Sequence, residues 1–345
     1  LRLTYEVMQD STSTEGAFIS ARKSEMQYLI DDMSRRDEYA LASTGKGILA
    51  RVNESPSGVN IAVDDAGGIV NANFGNRFMS VGMFVAAINP STGNLRTSIR
   101  KVVAAASGGA SVDFDAATYT GWADNDYLVQ AANSSVTSVL DTSWEHAWMG
   151  LMGLVDDNTY VANYFGVVRA DVPAYSSYVT ASTGALSTDL IQRVSDVVDQ
   201  KLSGKVSMIL CHHSIRRLVV QLTDADRRYM GASLSRPDPG TVAFKQGDVP
   251  FGDVPVRAIR DFPLDVMMFL DLQNAGFKEY VSEPGKWVDE DGSVLVRVGS
   301  GTTGRDAFEA WYRMRKQYFM EYPAFCARLD GITGQTLVVQ RSAGS

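Results

Sequence analysis

The sequence predicts an α+β protein, and three patterns along the chain support this assignment. A stretch without proline from residue 13 to about 42 carries apolar side chains at helical spacing, which predicts one long helix. Between 46 and about 135, short apolar runs are broken by Gly, Ser, Asn and Asp, which is typical of strands joined by turns. Beyond residue 136, helical and strand patterns are mixed.

Composition and charge exclude several classes of protein. Of the 345 residues, 45% are hydrophobic and 21% are charged, which is ordinary for a globular protein with a large core. The formal net charge of -8 argues against a surface built to neutralise phosphates, because tight nucleic-acid binding needs clustered Lys and Arg. No apolar run is long enough to span a membrane. Cys211 and Cys326 are expected as buried reduced thiols, with a single disulfide as the alternative.

The N-terminal part is predicted to form one strand and one long helix. Residues 1–8 alternate between apolar and polar types, which indicates a half-buried strand. The helix that follows would be about 45 Å long at 1.5 Å per residue. Its mixed charges are typical of a solvated helix face, and they also suit contacts between subunits. The residues assigned to this candidate subunit interface are Arg22, Arg35, Arg36, Asp37 and Glu38.

Most of the remaining elements are predicted to be short. Ser214 is in position to cap a helix, and Pro323 is expected to end the last helix. Strands are predicted at 48–52, 83–88, 99–105, 127–129, 206–210, 254–259, 266–270 and 336–339, with hairpin turns at 90–94 and within 287–298. Helices are predicted at 187–204, 215–222 and 305–322.

The segment Gly299–Gly304 fits the pattern G-x-G-x-x-G, in which glycines let a pyrophosphate approach a helix N-terminus. It follows a predicted strand and precedes the helix predicted at 305–322. Only about 40 residues follow the motif, too few for the rest of a doubly wound domain. We interpret it as a glycine turn, and a nucleotide-dependent enzyme that uses it is a lower-ranking alternative.

Two of the three histidines lie in the tetrapeptide Cys211-His212-His213-Ser214. A zinc site needs three or four ligands, and only His146 is left to add. A Cys or Ser nucleophile needs a base and an orienting group, and the sequence signals neither. We interpret the tetrapeptide as a packing turn, and we predict no catalytic residue, no cofactor and no metal.

Eight segments carry a resemblance through their order and spacing along nearly all of the chain. They are YALASTGKGILARV (39–52), SVGMFVAAI (80–88), LRTSIRKVVAAA (95–106), GLVDDNTYVANYFGVVRADVP (153–173), LSTDLIQRVSDVVDQKLSGKVSMILCHHSIRRLVVQL (186–222), FGDVPVRAIRDFP (251–263), WVDEDGSVLVRV (287–298) and FEAWYRMRKQYFMEYPAFCARLDGI (308–332). In this order they resemble the major capsid protein of tailed bacteriophages. None of them is a chemical signature by itself.

The resemblance implies a tailed-phage capsid fold with a long spine helix, a peripheral domain, a β-rich insertion and an axial domain. The implied limits are 1–50 for the peripheral domain with its helix, 51–135 for the insertion, 136–300 for the axial domain and 301–345 for the return to the peripheral domain. Residues 1–8 would be the returning strand of a hairpin, paired with a segment preceding residue 1 or with a neighbouring subunit.

The implied function is structural rather than enzymatic. The chain would self-assemble into hexamers, pentamers and an icosahedral shell that encloses a double-stranded DNA genome. Implied partners are further copies of the chain, portal, scaffold or decoration proteins, and packaged DNA bound without sequence specificity, with no membrane partner and no cofactor. The chain would be made in the cytoplasm of a bacterial host and located in the virion capsid. An encapsulin-type nanocompartment shell is the alternative within the structural class.

Overall fold

The computed structural model describes residues 2–4, 15–69, 74–106, 108–117, 119–200, 204–230, 248–251, 254–288, 296–298 and 307–334. The chain divides into two compact units. The first unit combines Leu1–Tyr39 with Glu279–Tyr318, and the second combines Ala40–Lys278 with Phe319–Ser345. The predicted mixture of helices and strands is confirmed, whereas the four domain limits stay predictions.

The long helix is confirmed. It runs over Glu15–Ala42, which is 28 residues or about 42 Å. At its end the hydroxyl of Ser43 donates to the carbonyl of Ala40 at 2.9 Å. Gly45 then takes a φ of 88°, in the left-handed region that commonly ends helices because glycine has no Cβ to clash. The predicted end near residue 42 is therefore correct.

A three-stranded antiparallel sheet of the first unit has Ala307–Glu309 as its central strand, between Arg2–Thr4 and Val296–Val298. The predicted N-terminal strand is confirmed over Arg2–Thr4. Ala307–Glu309 pairs with one edge of this strand, which is an outer strand of the sheet. The expected pairing with a segment before residue 1 or with a neighbouring subunit stays a prediction.

A two-stranded ribbon of Phe277–Trp287 and Tyr312–Met320 replaces the helix predicted at 305–322. Arg313 and Arg315 are exposed while the residues beside them are partly buried, which is the alternation of a strand. Aromatic residues are frequent in this segment and favour strands. The helix prediction is wrong because short apolar runs fit the period of a helix and the period of a strand. Pro323 begins a 3-10 turn instead of ending a helix.

A closed six-stranded barrel occupies most of the predicted β-rich stretch. The strands predicted near 48, 83, 99 and 127 are confirmed in type, and the turn at 90–94 is closed by a 3.0 Å bond from the Asn89 N–H to the Asn94 carbonyl. Two of the six strands were not predicted. In barrel order the strands are Ile48–Val52, Asn60–Asp64, Ser111–Phe114, Leu95–Ala105, Phe84–Ile88 and Tyr127–Gln130.

A mixed six-stranded sheet forms the centre of the second unit. Helices Thr188–Gln200 and His213–Met230 contribute buried side chains to its core, among them Val198 and Ile215. The helices predicted at 187–204 and 215–222 are thus confirmed in type, and the second is longer than expected. In sheet order the strands are Tyr178–Thr180, Ala327–Leu329, Met267–Leu270, Met208–Cys211, Val254–Ala258 and Asp248–Phe251.

An irregular segment connects the barrel to the central sheet. It contains the one-turn helix Leu151–Leu154 and a two-stranded hairpin of Asn163–Tyr164 with Val167–Val168. Isolated 3-10 turns lie at Val139–Asp141, Arg169–Asp171 and Pro173–Tyr175, and further ones at Ala66–Gly68 and Gly75–Phe78. Strands Gly184–Ala185 and Ile332–Thr333 pair in parallel.

The expectations of no membrane span, of a turn at 289–292 and of a strand at 336–339 remain to be compared with the structure. Within the described residues, no helix is both long and apolar enough to cross a bilayer. The turn expected at 289–292 and the strand expected at 336–339 lie outside the described residues. Of the residues around that turn, Phe277–Trp287 pairs with Tyr312–Met320, and Val296–Val298 pairs with Ala307–Glu309. The hairpin predicted over 287–298 stays a prediction, because most of it lies outside the described residues.

Candidate functional site

The irregular segment between barrel and sheet is organised around the buried guanidinium of Arg169. This side chain is completely buried and donates to backbone carbonyls of the segment. These carbonyls lie outside regular helices and sheets, where backbone N–H groups would otherwise pair with them, so a side chain takes that role. The carbonyls that accept its hydrogen bonds are those of Gly153 (2.7 Å), Asp156 (2.7 Å), Tyr175 (2.8 Å), Leu154 (3.2 Å) and Val161 (3.2 Å).

A second buried arginine, Arg328, joins the same segment to the central sheet. Its Nη2 lies 3.1 Å from Oδ1 of Asp156, and both side chains are completely buried. Nη1 donates to the carbonyls of Met152 at 3.0 Å and Val155 at 2.5 Å, while Nε pairs with the carboxylate of Asp330. Because Arg328 belongs to strand Ala327–Leu329, these bonds attach the irregular segment to an inner strand of the central sheet.

The carboxylate of Asp156 completes this network from the opposite side. Its Oδ2 accepts the backbone N–H groups of Tyr160 and Val161, each at 2.9 Å. Burial lowers the pKa of Arg169, and the nearby Asp156 carboxylate opposes that shift. The guanidinium groups are occupied by carbonyls and carboxylates, so this network holds backbone in place and offers no group to a substrate.

The hairpin of Asn163–Tyr164 and Val167–Val168 is attached to the second unit through Tyr164. The hydroxyl of Tyr164 donates to the Met320 carbonyl at 2.7 Å and accepts the Met320 N–H at 2.9 Å. The guanidinium carbon of Arg169 lies 4.9 Å from the centre of its ring. Phe165 and Gly166 form the turn with φ values of 46° and 86°, as the two-residue turns that suit the twist of a hairpin require.

The predicted subunit-interface residues on the long helix are placed in different surroundings. Asp37 is engaged within the first unit, where it forms an ion pair with Lys316 and accepts a 3.0 Å bond from the Tyr318 hydroxyl. Arg36 is half exposed and pairs with Asp32 at 3.1 Å, while Glu38 is partly buried. The side chains of Arg22 and Arg35 lie outside the described part of the chain. The interface assignment stays a prediction.

The cysteine and histidine tetrapeptide packs as a strand-to-helix turn. Cys211 and Cys326 are free and buried, and burial raises the pKa of each thiol to about 12, so neither thiol carries the charge that a nucleophile needs. In the described residues, no group of three or more His, Cys, Asp or Glu side chains could hold a metal ion.

His212, rather than Ser214, caps the helix that begins at His213. Its Nδ1 accepts the Ser214 N–H at 3.2 Å and lies 2.7 Å from the Ser214 hydroxyl. Burial, together with the positive charge of Arg77, lowers the pKa of His212 to about 3, so the ring stays neutral and its nitrogen stays an acceptor. The prediction of Ser214 as the cap is wrong because the imidazole of His212, two residues earlier, fills that role.

The glycine motif at 299–304 itself lies outside the described residues, but the elements on either side of it are described. Val296–Val298 precedes it and Ala307–Glu309 follows it, and these two strands pair antiparallel. A dinucleotide site needs a helix N-terminus directly after the glycines. The strand Ala307–Glu309 begins three residues after the motif, so the prediction of a helix over 305–322 is wrong, and this weakens the enzyme alternative.

One buried carboxylate of the second unit is incompletely paired. Asp265 is 4% exposed, and its Oδ1 has no hydrogen-bond partner. Burial raises the pKa of Asp265 to about 7, the Asp330 carboxylate raises it further, and the backbone N–H groups of Asp265 and Gly331 oppose the shift. The group is therefore an acid that changes charge close to neutral pH.

The sequence interpretation missed the residues that organise this region. Asp156, Tyr164, Arg169 and Arg328 belong to no motif or spacing that predicts a site. The available signal was an uncharged stretch, 158–168, placed between two acidic residues and one arginine. Charged residues that bound such a stretch can be its internal anchors, but their backbone partners leave no pattern in the sequence.

Comparisons with known proteins give structural matches only. No family model matches the chain, and no curated protein is similar to it in sequence. A chain of the cyanophage A-1(L) capsid asymmetric unit aligns with 15% identity and a TM-score of 0.37, over 58% of this chain and 63% of that one. A chain of the satellite phage P4 procapsid, a structure that includes the size determination protein Sid, aligns with 13% identity and a TM-score of 0.25, over 43% and 39%.

A third match is the holo-SrpI encapsulin complex from Synechococcus elongatus PCC 7942, with 16% identity and a TM-score of 0.30, over 55% of this chain and 62% of that one. In each case the aligned part spans less than two thirds of the matched chain. The matched chains belong to a capsid, a procapsid and an encapsulin complex.

Proposed function

We propose that this chain is the subunit of a closed protein shell, and specifically a major capsid protein that assembles into rings and encloses double-stranded DNA. In this proposal the long helix is the spine helix of a peripheral domain, the six-stranded barrel is the β-rich insertion and the central sheet with its two helices is the axial domain. Further copies of the chain are its main partners, with portal, scaffold or decoration proteins as additional ones.

The observation that carries the proposal is the incomplete burial of the long helix. Met26, Leu29, Ile30 and Met33 recur at the spacing of one helix face, yet no described side chain between residues 26 and 39 is fully buried. An apolar helix face that its own chain leaves partly exposed is stabilised when another molecule covers it. A shell subunit, which meets several identical neighbours, supplies such cover through ring-closing contacts.

Two further features support a structural role. The segments that resemble capsid proteins run through both units, and most of those in the second unit coincide with a strand or helix of the expected type. The net charge of -8 suits a shell that encloses DNA without gripping it, because a basic lining would bind phosphates and oppose release of the genome.

Assembly of the full chain tests the proposal. We expect rings or closed shells by negative-stain microscopy and a mass far above 37.5 kDa by light scattering after size exclusion. A compact monomer at every concentration and ionic strength would contradict the proposed shell function. Particles isolated from the natural source distinguish the two kinds of shell: DNA-filled, tailed particles identify a capsid, and shells filled with protein cargo identify the encapsulin alternative.

Cofactor titration tests the enzyme alternative separately. We expect no heat of binding when NADH or ATP is titrated into the chain. A dissociation constant in the micromolar range, about -8 kcal/mol, would contradict the interpretation of the glycine motif as a turn. Since titration needs no assembly, the result is independent of whether shells form.

A further inference from the structure

A compact apolar patch stands on the hairpin that Tyr164 attaches to the second unit. Phe165 is 50% exposed, Val167 is 39% exposed and Val168 is 46% exposed. A Cβ built on Gly166 would meet no atom within 4 Å, so the turn itself is not covered by the rest of the described chain. Single exposed apolar residues are normal on protein surfaces, but three within four positions mark a place of contact.

The hairpin is rigid because buried side chains hold it at both ends. At one end Tyr164 bonds to both backbone groups of Met320, and its ring meets the Tyr175 ring at 5.2 Å. At the other end the buried Arg169 binds surrounding carbonyls, and its own N–H donates to the Ala162 carbonyl at 2.9 Å. An exposed patch that is fixed in advance loses little conformational entropy when a partner covers it.

The residue at the tip is unfavourable for the isolated chain on two counts. Phe165 takes a φ of 46°, a left-handed conformation that asparagine and glycine adopt readily and bulky residues rarely do. The same position also exposes half of an aromatic side chain to water. Phe165 therefore lowers stability through both its backbone conformation and its exposed ring, although the hairpin that carries it is rigid. Such a combination is typical of a binding site.

We propose that the hairpin 163–168 is a contact surface for a second copy of this chain. The eleven residues 158–168 contain no charged side chain, although the whole chain carries a net charge of -8. Two such acidic copies repel each other over most of their surfaces, and an uncharged apolar patch lets them meet without like-charge repulsion. A partner of opposite charge would find no ion pair on this hairpin.

The size of the patch further specifies the contact. A stable pair of proteins uses about 20–30 residues on each side, and three apolar side chains are far fewer. The hairpin therefore acts as one of several contacts that add up when copies close into a ring. This part of the inference rests on the proposed shell function, whereas the contact between two copies does not.

The substitution Phe165→Asn separates a binding role from a structural one. Asparagine suits the left-handed conformation and removes the exposed ring, so we expect a melting temperature raised by a few degrees together with at least a tenfold loss in the rate of assembly. Phe165→Tyr keeps the ring and is the matched control, with assembly within twofold of the wild type. The pair Val167→Thr and Val168→Thr keeps β-branched strand residues and should also slow assembly.

A photo-cross-linking measurement covers the case in which the chain forms no shell. Phe165 is replaced by its p-benzoyl derivative, and the chain is irradiated at high concentration. We expect a cross-linked product of twice 37.5 kDa, joined between residue 165 and a peptide of a second copy. Such a product without any shell would overturn the shell function and support the hairpin contact. Shells that form normally with Phe165→Asn and give no cross-link at 165 would overturn the inference and leave the shell function standing.

Discussion

Arg328 and Asp156 form an ion pair of 3.1 Å from which solvent is completely excluded. The pair joins a strand of the central sheet to the irregular segment that carries the 163–168 hairpin. Removing one member of a buried pair leaves the other charge without compensation, which costs more than the pair itself contributes. The pair therefore couples the position of the hairpin to the folding of the second unit.

We expect Asp156→Ala to lower the free energy of unfolding by about 3 kcal/mol, because the buried Arg328 would keep only Asp330 as a carboxylate partner and two N–H groups would lose their acceptor. Urea denaturation followed by circular dichroism measures this change. Arg193→Ala is the matched control, since it removes an exposed pair with Asp189 at 2.9 Å and should cost only about 0.5 kcal/mol or less. Equal losses in the two variants would refute a special role for the buried pair.

Asp265 makes the stability of the second unit depend on pH. Because burial raises its pKa to about 7, the folded chain holds a proton between about pH 4 and pH 7 that the unfolded chain has lost. The folded state then binds more protons than the unfolded state, so stability falls as pH rises through this window and levels off above about pH 7.

The variant Asp265→Asn should remove this dependence. Asparagine keeps an oxygen that can accept the Gly331 N–H and carries no charge. We expect the variant to match the wild type near pH 4 and to exceed it at pH 8 by on the order of 4 kcal/mol, measured as urea midpoints at the two pH values. Asp189→Asn, on an exposed helix position, serves as the control. A variant that is less stable than the wild type at pH 8 would show that the charged form is the favoured one.

The elements that the sequence predicted correctly are those whose pattern is local. The helix Thr188–Gln200 repeats apolar residues on one face, and the Pro, Gly and Asn residues at 90–94 predict a turn. The ribbon strand Tyr312–Met320 was predicted as a helix because its partner, Phe277–Trp287, is distant in sequence. The local apolar pattern of this segment fits the period of a helix and the period of a strand, and the pairing between distant strands decides which of the two forms.

The candidate site was less predictable than the fold. Arginine is among the residues most rarely buried without a partner, and Arg169 finds its partners among backbone carbonyls rather than carboxylates. Likewise, the strain at Phe165 follows from the turn geometry, and the dipeptide Phe-Gly lacks the asparagine that usually signals such a turn. These features depend on backbone positions that exist only once the chain has folded.

His212 provides a test of the cap on the helix His213–Met230. We expect His212→Ala to lower the free energy of unfolding by about 1 kcal/mol at pH 7.5, because the first turn loses a side-chain acceptor. His212→Asn, whose oxygen can take that role, should recover most of the loss. Chemical denaturation of the three proteins at the same pH makes the comparison, and an alanine variant as stable as the wild type would contradict the cap.

The same residue gives a second, opposite dependence on pH. The pKa of His212 is lowered to about 3 in the folded chain, against about 6.5 when unfolded. The unfolded chain therefore binds the extra proton first, and the stability present above about pH 6.5 is lost as pH falls toward 3. His212→Asn removes this slope. If wild type and variant lose stability equally between pH 7 and pH 4, the buried neutral imidazole is not its source.

The predicted interface on the long helix can be tested at Arg36 without disturbing the fold. Its pair with Asp32 is exposed and one helical turn apart, so Arg36→Ala should change the free energy of unfolding by about 0.5 kcal/mol or less. If the side chain meets a neighbouring copy, assembly should slow at low salt, since charges at the rim of an interface act mainly on the rate of association. Light scattering against time measures that rate.

Salt separates this effect from a change in stability. Screening shortens the reach of exposed charges from about 10 Å at 0.1 M to about 3 Å at 1 M, so the difference between Arg36→Ala and the wild type should disappear at high ionic strength. Arg193→Ala, which removes an exposed helical pair of the same spacing in the second unit, should assemble like the wild type at both salt concentrations. If Arg36→Ala also assembles at the wild-type rate in low salt, Arg36 does not belong to the interface, because an unscreened charge at a contact cannot be removed without changing the rate at which copies meet.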